Sequence, residues 1–367
     1  MLPKTFFAVT LLCFWQVVSV SAESAQPIKV AALLPLSGPV AEFGVAARNG
    51  LELARRDHPD RFHRIEFLFE DSQYDNKIAL SSFQKLRSTS GVQLVYSWGF
   101  GPNQAVAPVA EAQRFPLLAV SSERSVSAGR QFVLRYCYYN EMVSQALLRY
   151  LRAKGLKRMA LVKTDIAFID GVIDGMRKNL RADEVLEIVD TYAPGDTDFK
   201  STIAKLKNRS YDALGVFLMS GQISQFYRQS AQLNYRPVTF GTDFFDSVQE
   251  VRDAAGAMDG AVFAAPYVDP DFVARYKATF GNDLQVAWAA NGYDFAELLA
   301  RVIDRRPDTQ EDSTLLDALR KEQGVELGSA ARYRFDSSPE GPGFNFKVVA
   351  KQIRGERIET LADHGDS

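Results

Sequence analysis

Lys29-Val30-Ala31-Ala32-Leu33-Leu34-Pro35-Leu36-Ser37-Gly38-Pro39-Val40-Ala41-Glu42-Phe43-Gly44 is an apolar run that halts at a Ser-Gly-Pro turn and then changes period. Up to Leu34 the run reads as a buried strand. Beyond the turn, Val45, Leu51 and Ala54, with Ala46, Ala47 and Gly50 between them, recur at helical spacing. Ser37 is placed either to cap that helix or to offer a hydroxyl beside its positive end. In an open parallel sheet such a strand-end loop faces the crevice where ligands bind.

Outward from this unit the strand–helix alternation continues. Strands are expected at Ile65–Phe69, Leu94–Tyr96, Pro116–Val120 and Phe132–Tyr136, and helices at about 76–87 and 105–113. After Cys137 the pattern restarts, with strands at Met159–Val162, Val185–Val189, Ala213–Leu218, Val238–Phe240 and Ala261–Ala264, and helices between them. Helical patterns resume at 272–280, 289–303 and 314–321. Two strands, Arg332–Phe335 and Phe344–Ile353, then flank a Pro/Gly turn at 337–343. This is βαβ order twice over, so the fold class is α/β with mostly parallel sheets.

The chain has 367 residues, with 43 Lys+Arg against 45 Asp+Glu, enough length for two cores and no basic excess for nucleic acid. Residues 1–22 read as a secretory signal: Lys4 supplies the positive start, Phe6–Val20 is largely apolar, and Val20-Ser21-Ala22 offers a cleavage site. Cys13 falls inside this leader behind Leu12, not behind the small residue a lipoprotein signal wants, and is read as discarded. Cys137 is then alone, so no intrachain disulfide forms.

Motifs for chemistry fall short. Gly99-Phe100-Gly101 begins like a dinucleotide fingerprint but lacks the third glycine and lies on the third strand. Val95-Tyr96-Ser97-Trp98-Gly99 resembles a nucleophile elbow, yet its first position is Val95, whose Cβ the tight turn resists. His58, His63 and His364 sit in polar or terminal segments with neither metal-ligand nor general-base placement. The expectation is no enzyme, no cofactor and no metal.

The order of strand, Leu36-Ser37-Gly38-Pro39 and Phe43-Gly44 resembles the opening of periplasmic binding proteins of the leucine/isoleucine/valine-binding type, the solute-binding components of ABC importers, and the likeness runs over nearly the whole chain after the leader. The resemblance implies two Rossmann-like lobes joined by a multi-strand hinge, with crossings near Tyr138, Tyr267 and Ala331. Lobe 1 is then 27–137 plus 268–330, and lobe 2 is 138–267 plus 331–360. It also implies a periplasmic monomer that captures a small-molecule ligand for ABC permease subunits. A periplasmic sensor for a receptor or kinase uses the same fold, and an exported α/β hydrolase is the rival from another class.

Six strand-end loops would converge on one cleft: 37–43, 97–101, 121–123, 163–168, 219–221 and 241–245. By resemblance, Trp98, Gly99, Phe100 and Gly101, together with Ser121, Ser122 and Glu123, hold the ligand carboxylate. Phe168 closes from the second lobe, Asp243 pairs with the ligand ammonium, Phe43 lines the side-chain pocket, and Met219 and Ser220 complete the set. Two departures stand out: Phe100 replaces a serine hydroxyl, and Glu123 stands where a threonine is common, with Arg124 as its expected partner. With Phe244 and Phe245 added, the cleft is aromatic-rich and suits an apolar ligand with few polar handles, an amine or amide among them.

Overall fold

The computed structural model describes residues 27–38, 40–89, 91–305, 315–322 and 330–361. The leader 1–22 with Cys13, and His364, lie outside the described residues.

The chain builds two seven-stranded sheets of matching design. The first is formed by β1 (Ile28–Leu34), β2 (Ile65–Asp71), β3 (Val92–Trp98), β4 (Leu117–Val120) and β5 (Val133–Tyr136). The second follows with β6 (Arg158–Thr164), β7 (Val185–Tyr192), β8 (Ala213–Phe217), β9 (Thr239–Gly241) and β10 (Val262–Pro266). Near the C-terminus come β11 (Tyr333–Asp336), β12 (Gly343–Phe346), β13 (Val348–Arg354) and β14 (Arg357–Thr360). The strand orders are β11-β12-β5-β4-β3-β1-β2 and β14-β13-β10-β9-β8-β6-β7. The inner strands β1 and β6 are parallel to both their neighbours and almost wholly buried, which is why they read as continuous apolar runs.

The chain crosses between sheets at Cys137–Tyr139 and again at Tyr267–Asp269, as the resemblance implied. The third crossing is displaced. Residues 331–346 were expected in the second lobe, but β11 and β12 belong to the first sheet and the crossing falls at Lys347. β12 runs parallel to β5, pairing Gly343 with Arg135 and Phe344 with Tyr136. The Phe344 and Phe346 rings each lie 5.5 Å from the ring of Tyr136. Covering the open edge of β5 with these buried rings is what holds the segment in the first lobe.

Helices cover the sheets. In the first lobe, Ala41–Asp57 crosses Val286–Arg305 at backbone contact. A Cβ on Gly50 would fall 1.9 Å from the Ala289 carbonyl oxygen, and one on Gly292 would fall 2.3 Å from that of Ala47. This close seat is what brings Trp288, from far along the chain, beside Phe43 (rings 6.3 Å apart).

Ser37 does not cap the helix that follows it. The helix begins at Ala41 after Val40, while the Ser37 hydroxyl donates to Asp71 Oδ2 at 2.6 Å. Asp71 Oδ1 accepts from the Leu36, Ser37 and Gln73 amides, so the end of β2 ties down the loop. The helix expected from about residue 105 starts at Phe100, because Gly99 (φ 108°) turns the chain directly out of β3 and Pro102 suits a first turn.

Candidate ligand-binding cavity

The carboxyl ends of the two sheets face a shared cavity of about 150 Å³. From the first lobe it is lined by Phe43, Tyr74, Trp98, Gly99, Phe100 and Trp288, with Val40, Val120, Ser121 and Ser122 beside them. From the second come Ile166, Ala167, Phe168, Met219, Asp243 and Phe244, and Cys137 and Tyr138 of the first crossing close the back. An apolar cavity of this size holds a group about as large as benzene.

The rings form one contiguous set. Trp98 lies 5.2 Å from both Phe43 and Trp288, and Tyr138 lies 6.3 Å from Trp288. Across the gap Phe43 meets Phe244 edge-on at 6.3 Å, and Phe244 meets Phe168 at 5.9 Å. Such edge-to-face pairs contribute roughly 0.5–1.5 kcal/mol each beyond area burial.

Two polar atoms in this lining lack protein partners: Trp98 Nε1 and Asp243 Oδ1, both buried. Asp243 Oδ2 accepts from the Tyr138 hydroxyl at 2.6 Å, a bond between the hinge and the second lobe. Burial lifts the Asp243 carboxyl to about 6. The nearby Asp246 pushes the same way, while the Tyr138 hydrogen bond and Lys351 oppose it. Lys351 is already paired with Asp246 at 2.6 Å, so it offsets the burial of Asp243 only in part. Burial also pushes the Cys137 thiol far up, so it is inert here.

Of the residues singled out from sequence, Phe43, Trp98, Gly99, Phe100, Ser121, Ser122, Phe168, Met219 and Asp243 line the cavity, and Phe244 lies with them. Gly101, Glu123 and Ser220 do not. Gly101 packs on Asn76, whose Oδ1 would lie 2.7 Å from a Cβ there. Glu123 turns to the second lobe, where it accepts from Asn140 Nδ2, and burial raises its carboxyl. Arg124, its expected partner, instead lies over the Tyr139 ring at 3.4 Å and reaches towards Glu141 at 3.7 Å. Phe245 is fully buried in the core of the second lobe, 5.9 Å from Tyr227.

Val40, Ile166 and Ala167 fall within the loops expected on the cleft, whereas Tyr74, Val120, Cys137, Tyr138 and Trp288 were not expected as lining residues. Tyr138 carried a usable signal, an aromatic at a predicted crossing. Trp288 carried none, since only the helix crossing brings it in. Tyr74 is presented by two successive left-handed residues, Gln73 (φ 50°) and Tyr74 (φ 57°), a costly conformation that the Asp71 contacts hold. Its ring fits only because residue 99 is glycine: a Cβ there would sit 2.5 Å from Tyr74 Cε2.

Behind the cavity Arg135 is completely buried. Its guanidinium donates to the carbonyls of Ser121, Cys137 and Tyr138 and to Asn345 Oδ1 of β12, and lies 3.5 Å from the Tyr139 ring centre. One cation thus fastens the first crossing to β12, the strand that leads into the third.

Residues 27–351 match the profile of a family described as periplasmic binding protein. The Leu/Ile/Val-binding protein BraC3 of Rhizobium johnstonii is 23% identical over 83% of this chain and 85% of its own length. Among solved structures, the branched-chain amino acid transporter substrate-binding protein LivJ of Streptococcus pneumoniae, in complex with isoleucine, superposes with a TM-score of 0.77 at 19% identity, over 92% of this chain and 99% of LivJ. A solute-binding protein of an R. palustris ABC transporter, in complex with benzoate, gives 0.75 at 21% identity over 92% and 98%. With the family profile covering the first sheet, most of the second and all three crossings, this chain belongs to the periplasmic binding protein family.

Proposed function

We propose that the chain is an exported solute-binding protein that captures a small organic molecule between its lobes and delivers it to the membrane subunits of an ABC importer. The observation that carries this reading is the cavity itself: both sheets aim their strand ends at it, and aromatic residues from both lobes meet across it. The lobes would move about the three crossings, the guest favouring the closed arrangement through contacts made only there. Capture needs few polar contacts. Charge-assisted hydrogen bonds contribute about 1.5–3 kcal/mol each, and micromolar affinity requires about 8 kcal/mol in all, the rest coming from apolar burial. The protein acts without chemistry on the guest, as a monomer, in the periplasm after loss of the leader.

The test is native mass spectrometry of the protein as purified, followed by thermal-shift screening of amines, amino acids, amides and aromatic acids. One guest per chain, released unchanged, supports the reading. A guest at a hundred times its dissociation constant should add about 2.7 kcal/mol of stability. Recovery of an altered product instead would make the protein an enzyme and end the proposal.

A further inference from the structure

Tyr74 is held where a tyrosine is seldom found. Its backbone lies in the left-handed region (φ 57°), directly after Gln73 in the same region (φ 50°). A bulky side chain disfavours that conformation, which glycine, Asn or Asp adopts more readily. Packing in a core does not explain it. The other aromatic side chains of the cavity lining are buried or half-buried, whereas Tyr74 is 39% exposed. A strained backbone that presents a largely exposed ring points to a role at the cavity.

The turn is tied on both sides of Tyr74. Before it, Asp71 Oδ1 accepts from the Gln73 amide at 2.9 Å, and the Tyr74 amide itself donates to Ser72 Oγ at 3.4 Å. After it, Asp75 caps the helix Asn76–Ser88, accepting from the Lys77 and Ile78 amides at 2.8 and 2.9 Å. The ring lies 5.9 Å from that of Trp98 and closes down on Gly99, where no Cβ stands in its way. It is a fixed wall and not a flap.

Tyr74 both lines the cavity and reaches solvent, so its ring is the partition between the two. What a partition sets is room. With the ring in place the cavity measures about 150 Å³, space for a group about as large as benzene. Without it the cavity would extend outward past Gly99, where a second fused ring could lie.

We propose that Tyr74 is a specificity-determining residue, a rigid stop that limits the guest to a single six-membered ring or its aliphatic equivalent. This rests on the reading of the chain as a binding protein.

The experiment is ligand-detected NMR titration of the full mature chain at pH 7 with two neutral probes, benzyl alcohol and naphthylmethanol. The larger apolar surface of naphthylmethanol favours it wherever there is room. The wild-type chain should nonetheless bind benzyl alcohol at least about tenfold tighter, because the second ring overpacks the site. Tyr74→Gly removes the ring and leaves a residue at ease at positive φ, and should reverse the order by about tenfold. Tyr74→Asn, which also tolerates that conformation, should do the same. Tyr74→Phe keeps the ring and should hold the ratio of the two affinities within about twofold of wild type. A Tyr74 that only braced the loop would weaken both probes by one factor and leave the ratio alone. A ratio that shifts less than about threefold in both Tyr74→Gly and Tyr74→Asn overturns the inference. So does a wild-type chain that takes naphthylmethanol as tightly as benzyl alcohol, or no saturable binding of either probe by any of these proteins. The binding-protein reading fails separately, on recovery of an altered guest.

Discussion

The two walls of the cavity stand on sheets of the same strand order, yet they differ in chemistry. The first-lobe wall is indole and phenyl ring, with the Gly99 amide donating to the Val120 carbonyl behind it. The second-lobe wall carries Asp243, the only charged side chain among the described residues of the lining, with one oxygen held by Tyr138 and the other without a hydrogen-bond partner. The scaffold is duplicated and the recognition is not. Selectivity therefore resides in a few loop-tip residues, and the sheets only set their distance.

The largest effect should come from the joint between the walls. Arg135→Met leaves the Ser121, Cys137 and Tyr138 carbonyls and Asn345 without their shared donor, and should lower unfolding stability by about 3–5 kcal/mol in urea titrations. A loss below about 1 kcal/mol would show that the walls are joined by something else.

Next is the charge on the second wall. The folded Asp243 carboxyl titrates near 6, above its ordinary value, so its ionisation opposes folding. Stability of the unliganded protein should fall as pH rises from about 4 through 6 and level off above that. Asp243→Asn should abolish this slope, gaining roughly 2–3 kcal/mol at pH 8 and nothing near pH 4, read by melts at both values. Equal melting shifts at the two pH values would mean that the carboxyl is solvated.

Tyr138→Phe removes the hydrogen bond that favours the ionised carboxyl. The fall in stability of the unliganded protein with rising pH should then have its midpoint above 6, read by melts across the range. A carboxyl raised further stays protonated to higher pH, so the stability it withholds on ionising is lost later in the titration. An unmoved midpoint would detach the hinge from the site.

Glu123→Gln should do least. Its contact is with Asn140, away from the cavity, so affinity for a guest found by native mass spectrometry should change less than about twofold. A large change would extend the charged wall into the first lobe.

Much of this architecture was legible in the sequence because parallel strands buried on both faces leave apolar runs that periodicity cannot hide, as at Val30–Leu34 and Met159–Val162. Strand-end loops followed from those runs, and the family resemblance singled out Trp98, Ser122, Phe168 and Asp243 within them. What was not legible depends on pairing across distance. The sheet membership of β12 is decided by rings meeting Tyr136, and Trp288 arrives through a glycine-seated helix crossing.

The placement of β12 has a consequence for how the molecule is born. The first sheet cannot close its edge until residues 343–346 exist, and the second gains β13 only a few residues later. Any machine that threads this chain N-terminus first therefore handles a polymer whose two halves are both unfinished until residues 343–354 emerge. Such long-range closure is slow, and here it makes the two halves mature together rather than in turn.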